Sequence, residues 1–462
     1  MAAIIILLPA FLAAYLAFSR SPQYAYLNVY VPVLLFLPNY YRWNPPVLPD
    51  PNFNQAVIVV IFFVWLTRNT RRWQYSITDF LVLAFALSLG YSEFINSNYK
   101  DAQALMFTMV TSVIFPYVLT KALIEPYGLR EEFGKRIVIT LAFVTLFSLH
   151  QSFTGDDFTL WQRALGRFFG GQGWRWEVRH RWGLVRAMGP YSHAILAGII
   201  LVIGYRIQRW LQWSQAWPKR FKQFPSFPIS PANFFTIALF IGAFSTLVRA
   251  PLIGGVMAAF VVMIGFTKKR WLIVGLFSLV LFIIIPPLLS WFIDYASVGR
   301  HNAIDENQKT IAYRWDTYLA YVEIAKERFI WGWGNTGFPL LEGLRSVDNH
   351  YLLIFLRHGI VALVLLVTII VLTSLRLFFH SMFAPVAEPR GSSLGFTLLS
   401  IYVVIGWSIA TVWLGQQTLP LLFIITAWSD AYLLSKRESY RDTATPAIQK
   451  DNRPFKFQRV LS

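Results

Sequence analysis

The chain has 462 residues, 56% hydrophobic and 17% aromatic, with a mean hydropathy of +0.49. Only 14% are charged, against roughly 25% in soluble domains, which excludes an ordinary water-soluble globule. The excess of 41 Lys and Arg over 23 Asp and Glu gives +18, read here as anchoring to anionic lipid headgroups and not as nucleic-acid binding, and the absence of cysteine excludes disulfides and thiol chemistry.

Apolar runs recur from end to end and predict an all-α polytopic membrane protein of about 12 or 13 transmembrane helices. The first run, near 4–18, lacks the basic flank of a signal peptide and is expected to remain as a helix. Runs near 26–38 and 54–67 follow. The remainder fall into hairpins: 77–91 with 103–123, 134–150 with 190–207, 232–249 with 251–266, 271–290 with 350–376, and 393–412 with 416–435. Between the hairpins lie basic clusters at Arg68-Arg71-Arg72, Arg130-Lys135-Arg136, Arg206-Arg209-Lys219-Arg220-Lys222, Lys268-Lys269-Arg270 and Lys436-Arg437. Placing each cluster in the cytoplasm makes every hairpin connection extracytoplasmic. Residues 1–435 are thus predicted to form one transmembrane domain. Residues 436–462, with Lys450, Arg453, Lys456 and Arg459, are predicted to form a basic cytoplasmic tail. Pro286-Pro287 should kink or end its helix early.

Two outer segments are long, about 150–189 and 294–349, as functional loops tend to be. The first sets Trp161, Trp174, Trp176 and Trp182 among Arg163, Arg167, Arg175, Arg179 and Arg181. Such a set suits a glycan or anionic ligand, or else an aromatic belt at the lipid interface. In the second, Ile311, Trp315, Tyr318, Leu319 and Val322 recur at helical spacing, predicting an amphipathic helix on the membrane surface.

Three residues far apart in sequence fall on the outer face under this topology. Arg186, in RAMGPYSHAILAG, precedes a helix whose first turn should contain Pro190. Arg249, in STLVRAPLIGG, lies in a turn so tight that it is held near the bilayer, where an arginine needs an anionic partner. Pro251 and Gly254-Gly255 allow close packing beside it. His350, in RSVDNHYLLIFLRHG, starts a helix, with Asp348 and Asn349 able to orient the imidazole or cap the helix. Arg314, on the loop helix, should point along the membrane surface towards an anionic ligand or a headgroup. His180, His193 and His301 are also outside, but no HExxH or zinc spacing occurs, and no metal or other cofactor is expected. Fixed guanidiniums beside a group that moves a proton suit a site that grips a diphosphate and activates a hydroxyl.

The pieces RAMGPYSHAILAG, STLVRAPLIGG, AYRWDTYLAYVEIAKERFIWGWGNTGF and DNHYLLIFLRHGIVAL, in that order across about 180–370, resemble the O-antigen ligase and Wzy polymerase superfamily. Two details depart from it: Asn349-His350 replaces the more usual His-Asn, and LVRAP replaces the more common Ser-Arg-Gly, which weakens any role for Ser245. The resemblance implies transfer of a glycan from undecaprenyl diphosphate to a lipid A-core or other glycan acceptor at the outer face of the bacterial inner membrane. It also implies that neither a nucleotide sugar nor an essential metal is needed. On this reading Arg186 and Arg249 clamp the diphosphate, with Arg314 as a weaker third. His350 is the general base or orienting group and Asp348 the fallback base, and attack opposite the leaving group inverts the anomeric centre. The alternatives are a Wzy-type repeat-unit polymerase, a protein O-oligosaccharyltransferase and, in another class, an anion transporter. Against the transporter stand the absence of inverted repeats and the grouping of candidates at one face.

Overall fold

A computed structural model describes residues 2–45, 49–68, 73–155, 158–170, 172, 180–299, 302–342, 347–389 and 391–444. Arg71, Arg72 and the basic residues of the tail beyond Ala444 lie outside them. A 3-10 turn (Ala2–Leu7) leads into α1 (Leu8–Ser19), followed by α2 (22–36), α3 (Phe53–Arg68), α4 (Ile77–Asn96), α5 (99–123) and α6 (Arg130–Thr154). A short α7 (Leu160–Leu165) and the strands β1 (His180–Arg181) and β2 (Leu184–Val185) come next. Then follow α8 (Ala194–Trp213), α9 (Pro231–Ser245), α10 (Arg249–Ile264), α11 (Arg270–Ala296), α12 (Glu306–Glu327), α13 (His350–Phe383), α14 (Leu394–Ile409) and α15 (Thr418–Ala444).

The protein is therefore an all-α polytopic membrane protein. Among the described residues, 7 helices are long and apolar enough to cross a membrane, and shorter apolar helices complete the hairpins expected from the sequence. Both α2 and α5 contain a π-turn (Tyr26–Tyr30 and Val110–Ile114) just ahead of Pro32 and Pro116. A widened turn accommodates a proline that cannot donate the next helical bond.

At the centre, α8 packs against α6, α9, α10, α14 and α15. Small residues permit this closeness: a Cβ on Gly198 would touch Pro251 and Thr246, and Gly255 faces Val202. Gly254 lies against the backbone of Val404, so the expected close packing by Gly254-Gly255 is present. One end of the bundle collects the basic clusters. There Lys121 bridges Asp79 (2.5 Å) and Asp430 (2.8 Å), and Arg376 reaches Asp430 (2.7 Å). Arg270 donates to the carbonyls of Ser381 and Ala384, tying the start of α11 to the end of α13.

Two local expectations are corrected. Pro286-Pro287 does not end its helix: α11 runs through both prolines to Ala296 and is exposed along nearly its whole length. In an apolar surrounding every unpaired peptide group is costly, so the chain stays helical and forfeits only the bonds a proline cannot make. Pro190 does not open α8 either. It lies in a turn, and the helix starts at Ala194, where the His193 imidazole accepts from the Ile195 N–H (3.1 Å) as the cap.

A true break lies in α13. Gly359 has φ 76 and ψ −174, dividing the helix into an arm at 350–358 and a long shaft beyond.

Candidate functional site

The end of the bundle opposite the basic clusters holds all the predicted site residues. Its first component is the β1–β2 hairpin, antiparallel with His180 opposite Val185 and Arg181 opposite Leu184. Trp182 and Gly183 both take positive φ (54 and 75), as a two-residue hairpin turn requires. Arg186 follows β2 directly and is half-buried. Its neighbours are fastened on both sides. The Ser152 hydroxyl donates to the Val185 carbonyl (2.8 Å), and the Met188 N–H donates to Gln151 (3.1 Å), both on α6. The Ala187 N–H donates to the Ser245 carbonyl (3.2 Å) at the end of α9. Ser245 itself uses its hydroxyl within its own helix, on the Gly242 carbonyl.

The turn from α9 to α10 is the second component. Leu247 is held at φ 51, an unfavourable conformation for a branched side chain and a kind of strain found at binding sites. Its carbonyl accepts from Arg181 Nη1 (2.6 Å). Burial first, and then the nearby Arg249 charge, lower the pKa of Arg181 from the usual arginine value. Met188, Ala194 and Val248 share one apolar cluster. The hairpin thus delivers Arg181 and Arg186 to the turn that carries Arg249. Among the described residues no carboxylate lies within ion-pair distance of Arg181 or Arg249, the latter at the positive N-terminus of α10.

The third component is α12. Asp305 caps it by accepting from the Gln308 N–H (2.6 Å). Asn307, Arg314 and Tyr321 recur every seven residues, so they share one face, with successive members about 10 Å apart along the axis. Asn307 accepts from Arg249 Nη1 (3.3 Å). Arg314 faces Asp348 (3.9 Å), and Tyr321 packs with Leu352 and Leu356 of α13. The loop helix is thus a strut between the arginine turn and the start of α13. Of its predicted apolar stripe, Tyr318 and Leu319 stay exposed, while the protein-facing side is built around Tyr321 and Ala325. Arg314 points to Asp348 across this strut, where the sequence suggested the membrane surface. The two side chains are 42% and 41% exposed, so their attraction is weak.

At the start of α13, Asn349 accepts from the Leu352 N–H (3.1 Å) and caps the helix. Asn349 has extended backbone angles (φ −112, ψ 116), so Asp348 lies ahead of the helix and His350 on its first turn. Asp348 is turned outward to Arg314. His350 is turned inward, only 5% exposed, and neither ring nitrogen has a hydrogen-bond partner among the described residues. The imidazole is therefore held by neither Asp348 nor Asn349. Of the other histidines, His180 is exposed on β1, and His301 lies outside the described residues. No group of three or more His, Asp or Glu gathers as metal ligands would among the described residues.

The first long loop divides. Trp161 is buried against Phe36 and Phe147 and belongs to the bundle, whereas Trp182 is 74% exposed at the hairpin tip. Trp174, Trp176, Arg175 and Arg179 lie outside the described residues. Sequence spacing had not separated Arg181 from its loop neighbours, and Asn307 carried no signal beyond its heptad relation to Arg314.

Residues 234–367 match the O-antigen ligase family, designated Wzy_C. No curated protein matches the chain.

Proposed function

We propose, from the premise that the chain is a membrane protein of the O-antigen ligase/polymerase superfamily, that it transfers a glycan from undecaprenyl diphosphate to an acceptor hydroxyl, on lipid A-core or a similar glycan. The reaction takes place at the outer face of the bacterial inner membrane. The observation that carries the reading is α12. One face of this helix meets the arginine turn through Asn307 and the acid Asp348 through Arg314. Both halves of a transfer reaction are thereby within reach of one substrate.

The acceptor oxygen attacks the anomeric carbon as the bond from that carbon to the diphosphate oxygen breaks, and the electron pair leaves with the diphosphate. Arg186 and Arg249 receive that charge, joined by Arg181, which the hairpin brings to the same turn. Fixed guanidiniums are suited to this because they neutralise phosphate oxygens by paired hydrogen bonds and cannot lose their own charge. The acceptor proton passes to Asp348. The Asp348 side chain is accessible where the His350 ring is enclosed. His350 supports the start of α13 from within. Arg314 lies across from Asp348, 3.9 Å away. Attack opposite the diphosphate inverts the anomeric centre.

The test is reconstitution with undecaprenyl-diphosphate-linked glycan and candidate acceptors, with product anomers assigned by NMR. Inverted product on lipid A-core is the expected result. Extension of the lipid-linked glycan instead would identify a repeat-unit polymerase, and glycan on protein an oligosaccharyltransferase. Release of no diphosphate with any acceptor would overturn the reading.

A further inference from the structure

We infer that Glu93, on the last turn of α4, is a positioning residue for glycan transfer, acting through Arg357 and the break in α13 on the short arm that presents Asp348. The inference rests on the function proposed above.

At Gly359 the backbone of α13 turns out of helical geometry, and carbonyls of the preceding turn lose their helical donors. The loop after α12 supplies replacements. The Trp333 N–H donates to Leu356 (3.0 Å) and the Gly334 N–H to Arg357 (2.8 Å). In return the Ile360 N–H donates to Phe329 (2.8 Å). The two backbones touch: a Cβ on Gly359 would overlap the Ile330 carbonyl, and one on Gly332 would overlap Arg357. Only glycine fits there, and both residues also need positive φ.

The end of α4 grips this junction from a third side. Ser92 Oγ donates to the Trp331 carbonyl (2.6 Å) and lies 3.2 Å from His358 Nδ1. Asn96 donates to the same carbonyl (3.3 Å). Glu93 accepts from the Asn335 N–H (2.8 Å) and is 3% exposed, with the Arg357 charge close enough to interact with it. That hydrogen bond fixes Asn335 beside Gly334, whose N–H holds the Arg357 carbonyl, Ser92 Oγ reaches the same carbonyl (3.3 Å), and the Arg357 charge adds attraction to the Glu93 carboxylate.

The arm is a lever. Residues 350–358 span about 13 Å, so a tilt of ~10° at Gly359 moves Asp348 by about 2 Å. A displacement of about 1 Å in a reacting group can cost on the order of 10²-fold in rate. Holding Arg357 from α4 therefore fixes the base relative to the arginine turn. A purely structural role for Glu93 would alter only the amount of folded protein.

The experiment measures kcat and donor KM for Glu93→Gln, Arg357→Gln and the double variant of the full chain, with thermal unfolding recorded for each. The expected result for Glu93→Gln is a fall in kcat of about 30-fold with donor KM within about two-fold, because the binding cations are untouched. The double variant should be no worse than the worse single one, and Glu93→Asp should recover part of the loss. If Glu93→Gln fails to fold, Ser92→Ala tests the same junction and should lower kcat about five-fold at constant KM. Unchanged kcat, or additive losses in the double variant, would overturn the inference. Arg249→Ala is the control that separates the two claims. If it is inactive while Glu93→Gln is normal, only the positioning role fails; if it too is fully active, the proposed function fails.

Discussion

The two ends of the bundle treat their cations in opposite ways. At the basic end, Lys121 and Arg376 converge on Asp430, which is fully buried, and Lys121 also holds Asp79. Further donors complete the group: Ser76 and Thr78 donate to Asp430, and Tyr117 and Trp73 donate to Asp79. At the other end, Arg181 and Arg249 lie close enough for their charges to interact, with a carbonyl and an amide as hydrogen-bond partners and no carboxylate within ion-pair distance among the described residues. Charges that are mutually satisfied within the protein hold helices together. Like charges gathered without a counter-ion raise the energy of the resting protein, and an arriving anion lowers it. The contrast distinguishes scaffold from proposed site without reference to any relative.

Several variants break or sharpen this contrast. The largest effect is expected from Lys121→Met, which strands Asp430 and Asp79 and should destabilise the protein by about 3–5 kcal/mol. Molecules that do fold should turn over at the wild-type rate, which thermal unfolding and active-site titration together would establish. A per-molecule loss of activity would mean that the basic end takes part in the reaction. Next, Arg249→Ala and Asp348→Asn should each lower transfer by about 10²–10³-fold while leaving insertion and stability intact. Accumulated lipid-linked glycan in membrane extracts measures this. If His350→Gln proved more damaging than Asp348→Asn, proton removal would belong to the enclosed ring after all. Arg181→Ala removes one cation from the turn and should cost about ten-fold in transfer, an amount in line with one charge-assisted hydrogen bond. Its donor affinity should also become less sensitive to salt. Smallest is Arg314→Ala. Its exposed pair with Asp348 is worth at most about 1 kcal/mol, so transfer should fall no more than about five-fold.

Much of this was legible in the residues themselves. Apolar runs and the basic clusters between them delimited the helices, because a bilayer tolerates few other patterns. The same patterns put Arg186, Arg249, Arg314 and His350 at one end of the molecule. What spacing could not reveal was direction within a helix turn. His350 and Asp348 are two residues apart, and both read as polar groups at a helix start. Yet the capping Asn349 turns one inward and the other towards Arg314. Likewise, Pro286-Pro287 carried the stronger sign of a break, whereas α13 breaks at Gly359, where a distant loop supplies the missing hydrogen bonds.

Hydropathy and charge, being properties of short segments, determined by themselves that the chain is a helical membrane protein, and they indicated which ends of its helices belong together. Which side chains meet was decided only in the folded molecule. Arg181 reaches the turn of Arg249 because a hairpin is fastened to Ser245, and the arm bearing Asp348 keeps its angle because α4 and a glycine-rich loop close on it. Those contacts join residues far apart in the chain, and no local pattern can encode a hydrogen bond whose partner is set by the packing of other helices.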